Sequence, residues 1–325
     1  MRYLIIFGLA LLAISIGCEQ ETSNKLNNQK TDASTQAEKM SNQDEYIIEN
    51  TIEEGQTLRV FSAYEYVEEY VKKAEETVEQ SDRQKLWKTI VMDRVQDACL
   101  RGEYSHLVKE YVNIPPRELK EVKDDITMMQ ASELEKTVLQ ALEKSADTLP
   151  GEDTTVCLLP QGEMSFPGVT VGAGKISLFN VASVSKDRLK HIVAHEYHHS
   201  TWTADYSLND EEWDLLGSIV FEGKAEYFGS LLYGTPPTEV KSRMGKEQEK
   251  ALWKQAKSLL DSNDASRVNR VLYGEKGEYP PGFGYMAGYH IVEKYVENHP
   301  ESSIEEWTKT PPEQLYRESG YEESF

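Results

Sequence analysis

A short run of histidine and glutamate near the middle of the chain constrains the fold more than any other feature. Residues 195–199 read HEYHH, and the residues just before them are apolar at helical spacing. Four residues along a helix turn about 400°, so His195 and His199 project from one face and can bind one metal ion. Glu196 lies beside them and can take a proton from metal-bound water. The fold must therefore place this helix where a third ligand and a substrate can reach it.

A catalytic zinc needs a third protein ligand and an open position for water. The favoured candidate is Glu222, on a helix predicted from about residue 211 to residue 232. Glu226 lies four residues further along and shares its face, so it can accept the N–H of a metal-bound histidine. Gly223 is expected to let this helix approach the HEYHH helix closely. The predicted metal ligands are thus His195, His199 and Glu222, with Glu226 behind them.

Other polar residues near the motif are less suited to bind the metal. Asp205 is an alternative third ligand by its spacing, but Trp202 stands where such a chain needs glycine for a sharp turn. His198 points away from the other two histidines by about 100° and is expected to make a structural hydrogen bond. His191, four residues before His195, could abut the site, but it is expected to face solvent.

The segment after residue 281 offers groups that can stabilise negative charge on a reacting carbonyl oxygen. Peptide hydrolysis on zinc needs one donor besides the metal, usually histidine or tyrosine. The order of preference is Tyr285, then His290, then Tyr289, against the alternative that these side chains pack in the core. By analogy with the fold of zinc peptidases that bind substrates by strand addition, an extended substrate is expected to add to an edge strand formed by Lys175–Asn180.

Three sequence segments carry a resemblance to a known family. They are Val193–His199, Glu222–Phe228 and Gly282–His290. The chain resembles the gluzincin class of zinc peptidases and, more closely, a bacterial family of predicted Zn-dependent proteases, domain of unknown function 2268, from about Arg59 to Tyr321. The resemblance implies a zincin-like fold, in which a helix carrying HExxH lies behind a small sheet and a second helix carries the glutamate.

The remaining patterns predict a mostly helical α+β protein with a small mixed sheet and an active-site helix carrying HExxH. Amphipathic stretches predict helices over Val60–Gln80, Arg83–Arg101 and Ser132–Ala146. Strands are predicted at Thr154–Leu159, Val169–Val171 and Lys175–Phe179. We therefore expect one zincin-like peptidase domain over residues 57–325, with a helical N-terminal part (57–150) and a catalytic part (151–325).

The N-terminus is typical of an exported lipoprotein. Residues 1–17 carry one arginine and then an apolar run too short for a membrane span, which predicts a signal peptide. Residues 15–18 read SIGC, similar to a lipobox, with Ser15 where Leu, Val or Ile is usual. Cys18 is the predicted lipidation site, and a simple signal peptide with a chance cysteine is the alternative. Residues 18–56 are polar and predict a disordered tether, with the folded part beginning near Ile47 to Thr57. The protein is expected on the extracytoplasmic face of the cell membrane.

Charge and cysteine content limit the possible partners. The net charge is −21, which argues against nucleic acid. Cys99 and Cys157 can form one disulfide or remain two buried thiols. The sequence predicts a lipid-anchored zinc metallopeptidase that acts on peptides or proteins, with Glu196 as general base. The alternatives are a binding or chaperone-like module with a structural zinc and no hydrolytic activity, and hydrolysis of amide bonds in cell-wall peptides.

Overall fold

The first strand of the domain starts at the beginning of the range Ile47 to Thr57 in which the sequence places the start of the folded part. The computed structural model describes residues 44–53, 55–160, 166–206, 213–234, 244–274 and 277–325. The predicted signal peptide, Cys18 and most of the predicted tether lie outside these ranges. Asp44–Tyr46 is a turn of 3-10 helix, and strand β1 (Ile47–Thr51) follows it. The predicted tether, drawn to residue 56, therefore extends too far.

A five-stranded mixed sheet forms one side of the domain. Its other strands are β2 (Thr57–Phe61), β3 (Thr154–Leu159), β4 (Gly168–Gly172) and β5 (Lys175–Phe179). The strand order is β1-β2-β3-β5-β4. β2, β3 and β5 are parallel, whereas β1 and β4 run antiparallel to their neighbours. The three strand predictions in residues 154–179 are confirmed.

The start of the first predicted helix is wrong. The sequence predicted a helix from Val60, but Val60 lies inside β2 and the helix begins at Tyr64. Leu58 and Val60 are fully buried, and they alternate with the less buried Thr57 and Arg59. This period of two fits a strand. Because β2 pairs with β3, the N-terminal part of the chain contributes to the same sheet as the catalytic part.

Helices make up most of the rest of the N-terminal part. The chain forms two π-helical segments here, Trp87–Met92 and Gln96–Leu100, which are joined by one α-helical turn. The α-helices here are α1 (Tyr64–Ala74), α2 (Gln80–Leu86), α3 (His106–Val112), α4 (Leu119–Ala131) and α5 (Leu134–Thr148).

A stack of helices behind the sheet holds the centre of the catalytic part. Its members are α6 (Lys186–Tyr206), α7 (Leu215–Tyr233), α8 (Lys246–Ala256), α9 (Ala265–Leu272), α10 (Phe283–Asn298), α11 (Ile304–Lys309) and α12 (Pro312–Ser319). α6 packs between β4 and α7, and α7 packs in turn against α10. The protein thus has the predicted mostly helical α+β fold. Among the described residues, no helix combines the length and apolarity needed to cross a bilayer.

The contact between α7 and α10 is unusually close. A Cβ atom placed on Gly223 would lie 2.2 Å from the carbonyl carbon of Gly288, so the two backbones touch where neither residue has a side chain. The sequence predicted that Gly223 serves the approach of α7 to the HEYHH helix. Its partner is instead α10, so this glycine sets the position of the Glu222 helix relative to Tyr285.

A disulfide joins the N-terminal part to the centre of the sheet. Cys99, in the second π-helical segment, bonds to Cys157 of β3. Both residues are fully buried. The sequence left open whether Cys99 and Cys157 form a disulfide or remain two thiols, and in the structure they form the disulfide.

Candidate metal centre

Helix α6 brings both motif histidines to one buried face. His195 is 9% exposed and His199 is 5% exposed. The opposite side of α6 is apolar and packs into the core through Val193 and Tyr197, which are fully buried. The helical spacing of apolar and polar residues therefore directs the two imidazoles toward α7 rather than toward solvent.

Helix α7 supplies the carboxylate that faces these imidazoles. Its start is fixed by Asp214, whose side chain accepts a hydrogen bond from the backbone N–H of Gly217 at 2.7 Å. Its end is fixed by Gly234 in the left-handed conformation. Between these caps the helix is buried on almost every side. Glu222 is thus carried on a rigid element.

Three ligand atoms converge in the space between α6 and α7. The Nε2 atoms of His195 and His199 are 3.0 Å apart, and each lies 3.2 Å from Oε2 of Glu222. A tetrahedral zinc with bonds of about 2.0–2.1 Å has its ligand atoms roughly 3.3–3.4 Å apart. Two imidazole nitrogens and one carboxylate oxygen are also the donor set of a catalytic zinc. In size and chemistry, the arrangement fits Zn²⁺.

The electrostatics of the cluster favour a cation. Burial opposes charge on His195, but the hydrogen bond to Glu222 and the charges of Glu226, Glu196 and Glu222 outweigh it and raise the pKa of His195 to about 9. Burial also opposes charge on Glu222, yet the charge of His199 and the hydrogen bonds from both histidines hold the pKa of this carboxyl well below its usual range. Glu222 therefore remains a carboxylate, the form that binds a metal ion.

Glu226 lies behind the cluster and faces two histidines. Its Oε1 is 3.5 Å from Nδ1 of His195, the ring nitrogen that faces away from the ligand cluster. Its Oε2 is 3.0 Å from Nε2 of His191. His191 is 1% exposed, so the expectation that it faces solvent is wrong. One turn before His195, it lies on the same helix face and packs against α7, where it holds the second oxygen of Glu226.

Glu196 contacts the sheet through strand β4. The hydroxyl of Thr170 lies 2.7 Å from the carbonyl oxygen of Glu196 and 2.9 Å from its carboxylate Oε2. Both residues are buried, at 4% and 7% exposure. This contact orients one carboxylate oxygen of Glu196. Sequence reasoning did not identify Thr170, because a threonine within Val169–Val171 looks like any other strand residue.

Aromatic rings flank the two imidazoles. The ring of Phe221 stacks on His199, with centroids 3.9 Å apart. The ring of Tyr285 is nearly parallel to that of His195, with centroids 6.2 Å apart. Burial and the nearby Glu222 carboxylate raise the pKa of Tyr285 well above its ordinary value. Its phenol is thus a proton-bearing group beside the ligand cluster, and its role as a donor remains a prediction.

The structure does not bring His290 to the cluster. Nδ1 of His290 is 2.6 Å from Oε1 of Glu249 on α8, and the same oxygen accepts a hydrogen bond from the Tyr321 hydroxyl at 2.6 Å. His290 follows Tyr285 by five residues, about 140° around α10, so the two side chains leave the helix in different directions. The proposed catalytic role of His290 is therefore wrong on geometric grounds. Tyr289 also turns elsewhere and donates to Glu293 at 3.1 Å.

The other nearby residues have structural surroundings. His198 is fully buried, stacks on Trp307 and lies 3.2 Å from the hydroxyl of Thr308, as expected for a structural hydrogen bond. Asp205 is exposed near the end of α6 and does not belong to the cluster.

Strand β5 lies between β3 and β4, so the prediction of an edge strand at Lys175–Asn180 is wrong. The edge beside α6 is β4.

Two histidines from one helix and a glutamate from the next, with a second buried glutamate beside the first histidine, form the donor set typical of zinc-dependent proteases. The comparison with protein families agrees with this class. Residues 134–317 match the family described as "Predicted Zn-dependent protease (DUF2268)", and the chain belongs to this family. The zinc dependence of the family and the His–His–Glu cluster assign Zn²⁺ as the cofactor.

Two curated proteins of Bacillus subtilis (strain 168) are similar to part of the chain. Uncharacterized protein YjaZ is 32% identical over 127 residues, which are 38% of this chain and 48% of that protein. Uncharacterized protein YjfC is 28% identical over 152 residues, 43% of this chain and 50% of that protein. The chain thus spans about half the length of the curated relatives it matches. No solved structure matches the chain significantly.

Proposed function

We propose that the protein is a zinc metallopeptidase of gluzincin type, with His195, His199 and Glu222 as metal ligands. The observation that carries this proposal is the convergence of the three ligand atoms, 3.0–3.2 Å apart, beside the buried carboxylate of Glu196. A structural zinc has no use for a base at that position, because a fourth protein ligand closes such a site. The proposed substrates are peptides or proteins.

The proposed mechanism divides the work among residues of three elements. Zinc bound here would supply Lewis acidity, which polarises a carbonyl and makes a water molecule more acidic. Glu196 accepts the proton of the attacking water and later gives it to the leaving amine. Thr170 keeps the carboxylate of Glu196 in place while this occurs. Tyr285 donates a hydrogen bond to the carbonyl oxygen as negative charge develops on it.

The substrate would bind as an added strand along β4. The predicted edge at Lys175–Asn180 is interior, but β4 lies at the edge of the sheet and contacts Glu196 directly. A peptide paired with β4 would have its backbone next to the general base. Backbone pairing of this kind recognises an extended chain with little dependence on its sequence.

We further propose that the protein is exported and anchored on the extracytoplasmic face of the membrane through Cys18. The support is the signal-like sequence of residues 1–17 together with the buried Cys99–Cys157 disulfide, since disulfides persist mainly in oxidising compartments. Mass spectrometry of the protein purified from a bacterial membrane tests the anchor. A diacylated Cys18 at the mature N-terminus is the expected result, and an unmodified N-terminus there would contradict it.

The decisive test of the function uses Glu196→Gln with a matched control. The zinc-loaded protein is expected to cleave members of a diverse peptide library, as read by mass spectrometry. Glu196→Gln should retain zinc and lose hydrolysis by about 10³-fold or more, because general acid–base catalysis contributes on the order of 10²–10⁴. Glu249→Gln, a second buried carboxylate, should cleave at the normal rate. Zinc binding without cleavage by the unaltered protein would instead favour the non-hydrolytic binding module.

A further inference from the structure

The geometry points to a limit on how far a substrate can extend along β4, and the inference rests on the proposed peptidase function. We propose that the segment Gly102–Tyr104 closes one end of the substrate-binding edge. The enzyme would then accept only a short stretch of peptide on the N-terminal side of the cleaved bond. Its substrates would be peptides cut near their N-terminus.

The closure is a set of contacts at the C-terminal end of β4. The backbone N–H of Tyr104 donates to the carbonyl oxygen of Val171 at 2.8 Å, which is the kind of bond a substrate strand would make. A Cβ atom placed on Gly102 would lie 2.4 Å from the same oxygen, so the segment passes with its backbone against the strand. The carboxylate of Glu103 accepts the N–H of Ala173 at 3.2 Å. A peptide paired with β4 cannot continue past Val171.

Several bonds fasten the residues just before this segment to the sheet. Cys99 is bonded to Cys157 of β3, and its carbonyl oxygen accepts a hydrogen bond from the hydroxyl of Ser177 at 2.7 Å. Nζ of Lys175 donates to the carbonyl oxygens of Asp97 and Arg101, both at 2.9 Å. The closing segment is therefore held by two strands, β3 and β5, and a substrate cannot readily displace it.

The closed end lies near the metal ligands. The hydroxyl of Tyr104 is 3.3 Å from that of Thr203, which lies one turn after His199 on α6. The Tyr104 ring also packs edge-on against Trp213, which contacts the Phe221 ring stacked on His199. A peptide that reached the ligand cluster would therefore meet Tyr104 within a few residues.

The part of β4 that remains for a substrate is short. The N–H of Phe179 donates to the carbonyl oxygen of Pro167, and residues Val169 and Ser177 are paired two positions further along. In an antiparallel ladder the alternate residues, Gly168 and Thr170, direct their backbone groups to the other side. An added strand is slightly more stable when antiparallel. In that orientation the N-terminal end of the peptide points toward Val171 and Tyr104.

Peptide length tests this limit directly. The probes are alanine-rich peptides with one central Phe-Leu bond, extended stepwise on either the N-terminal or the C-terminal side. Extension on the N-terminal side should lower kcat/KM by about tenfold or more once it reaches the closed end, whereas C-terminal extension should not. The same peptides are titrated against zinc-loaded Glu196→Gln, so that binding is measured without turnover.

The outcomes separate the inference from the proposed function. Hydrolysis that tolerates both extensions equally would overturn the closed end and leave the peptidase intact. If hydrolysis is absent but Glu196→Gln binds N-terminally extended peptides weakly, the peptidase proposal fails and the closed end stands. Equal binding of all peptides, no binding of any of them, or a penalty confined to the C-terminal series would overturn the closed end.

A variant in which Gly102–Tyr104 is held less firmly tests whether this segment causes the penalty on N-terminally extended peptides. Cys99→Ala/Cys157→Ala combined with Lys175→Met removes the disulfide and both Lys175 hydrogen bonds without touching the ligand cluster. The penalty on N-terminally extended peptides should fall to about threefold or less, while the shortest peptide is cleaved as before. Lys175→Met alone gives the same test with less risk to folding, and Lys144→Met, which removes another lysine bound to a backbone carbonyl, is its control. An unchanged penalty in a folded variant would overturn the assignment.

Discussion

Two of the buried clusters of histidine and carboxylate in the described part of the chain differ in what their polar atoms face. The metal cluster, formed by His195, His199 and Glu222, aims three ligand atoms at one point. The α8–α10 cluster, formed by Glu249, His290 and Tyr321, closes on itself, because one carboxylate oxygen accepts from both partners at 2.6 Å.

The difference shows what distinguishes a functional cluster from a structural one. In the α8–α10 cluster each group has a partner of suitable chemistry, so nothing in the arrangement calls for a ligand. In the metal cluster two imidazole nitrogens are 3.0 Å apart and share one carboxylate oxygen, an arrangement that a cation completes. Substitutions in the metal cluster should lower zinc binding and activity. Substitutions in the α8–α10 cluster should lower only the stability of the fold.

The largest expected effect comes from removing a metal ligand. Glu222→Ala should weaken zinc binding by about 10²–10³-fold, since structural zinc binding of about 10–16 kcal/mol is shared among four ligands. Competition with a chromophoric chelator measures the affinity. Glu249→Ala in the α8–α10 cluster should leave it unchanged, and an equal loss there would erase the distinction between the clusters.

A smaller effect is expected behind the metal cluster. Glu226→Gln should lower zinc affinity by about 10–100-fold, because the carboxylate faces Nδ1 of His195 and favours the ring form whose Nε2 can bind metal. His191→Phe, which frees the second oxygen of Glu226, should lower the affinity less than Glu226→Gln does. If both variants bind zinc normally, Glu226 only fills space between α6 and α7.

The contact between Thr170 and Glu196 is expected to act on turnover alone. Thr170→Val keeps the shape of the side chain and removes its hydroxyl, so kcat should fall by about tenfold with zinc content unchanged. Thr170→Ser should restore most of the rate, because it returns the hydroxyl. A rise in KM or a fall in zinc content, without a fall in kcat, would show that the hydroxyl stabilises the strand rather than the base.

The fold class and the shared face of His195 and His199 could be predicted because their signals are local. The spacing of His195 and His199 is a property of one helix, and the strands at residues 154–179 show their own turns and apolar runs. The wrong predictions concern groups whose position depends on elements far away in the sequence. His191 is buried because α7 covers it, and His290 is taken by Glu249, 41 residues earlier in the chain. The pairing of β4 with β5 decides which strand forms the edge, and no pattern within Lys175–Asn180 reveals it.

The smallest expected effect is on stability and belongs to the α8–α10 cluster. Burial tends to raise the pKa of Glu249, but the hydrogen bond and charge of His290 and the hydrogen bond of Tyr321 outweigh it and hold the pKa below its ordinary value. The ionised form therefore stabilises the fold at pH values above about 4.5, and this contribution is lost as the pH falls through the lowered pKa.

Glu249→Gln should reduce the free energy of unfolding by about 1–2 kcal/mol near neutral pH, with normal zinc content and hydrolysis. Urea unfolding at a series of pH values measures the difference. The gap between the variant and the unaltered protein should shrink below about pH 4.5, since the carboxyl becomes neutral in both. A gap that grows on acidification would mean that another group of the cluster holds the charge.

The touching glycines of α7 and α10 determine how accurately the site is built. The backbones meet at Gly223 and Gly288 with no side chain between them. The distance between the Glu222 helix and the Tyr285 helix is therefore closely fixed. Glu222 is the immediate neighbour of Gly223, so any added methyl group would displace a ligand from the two histidines. A misplacement of about 1 Å can cost a catalyst 10²-fold in rate. Because hydrogen replaces a side chain at both Gly223 and Gly288, this crossing of α7 and α10 should tolerate mutation far less than an ordinary helix crossing.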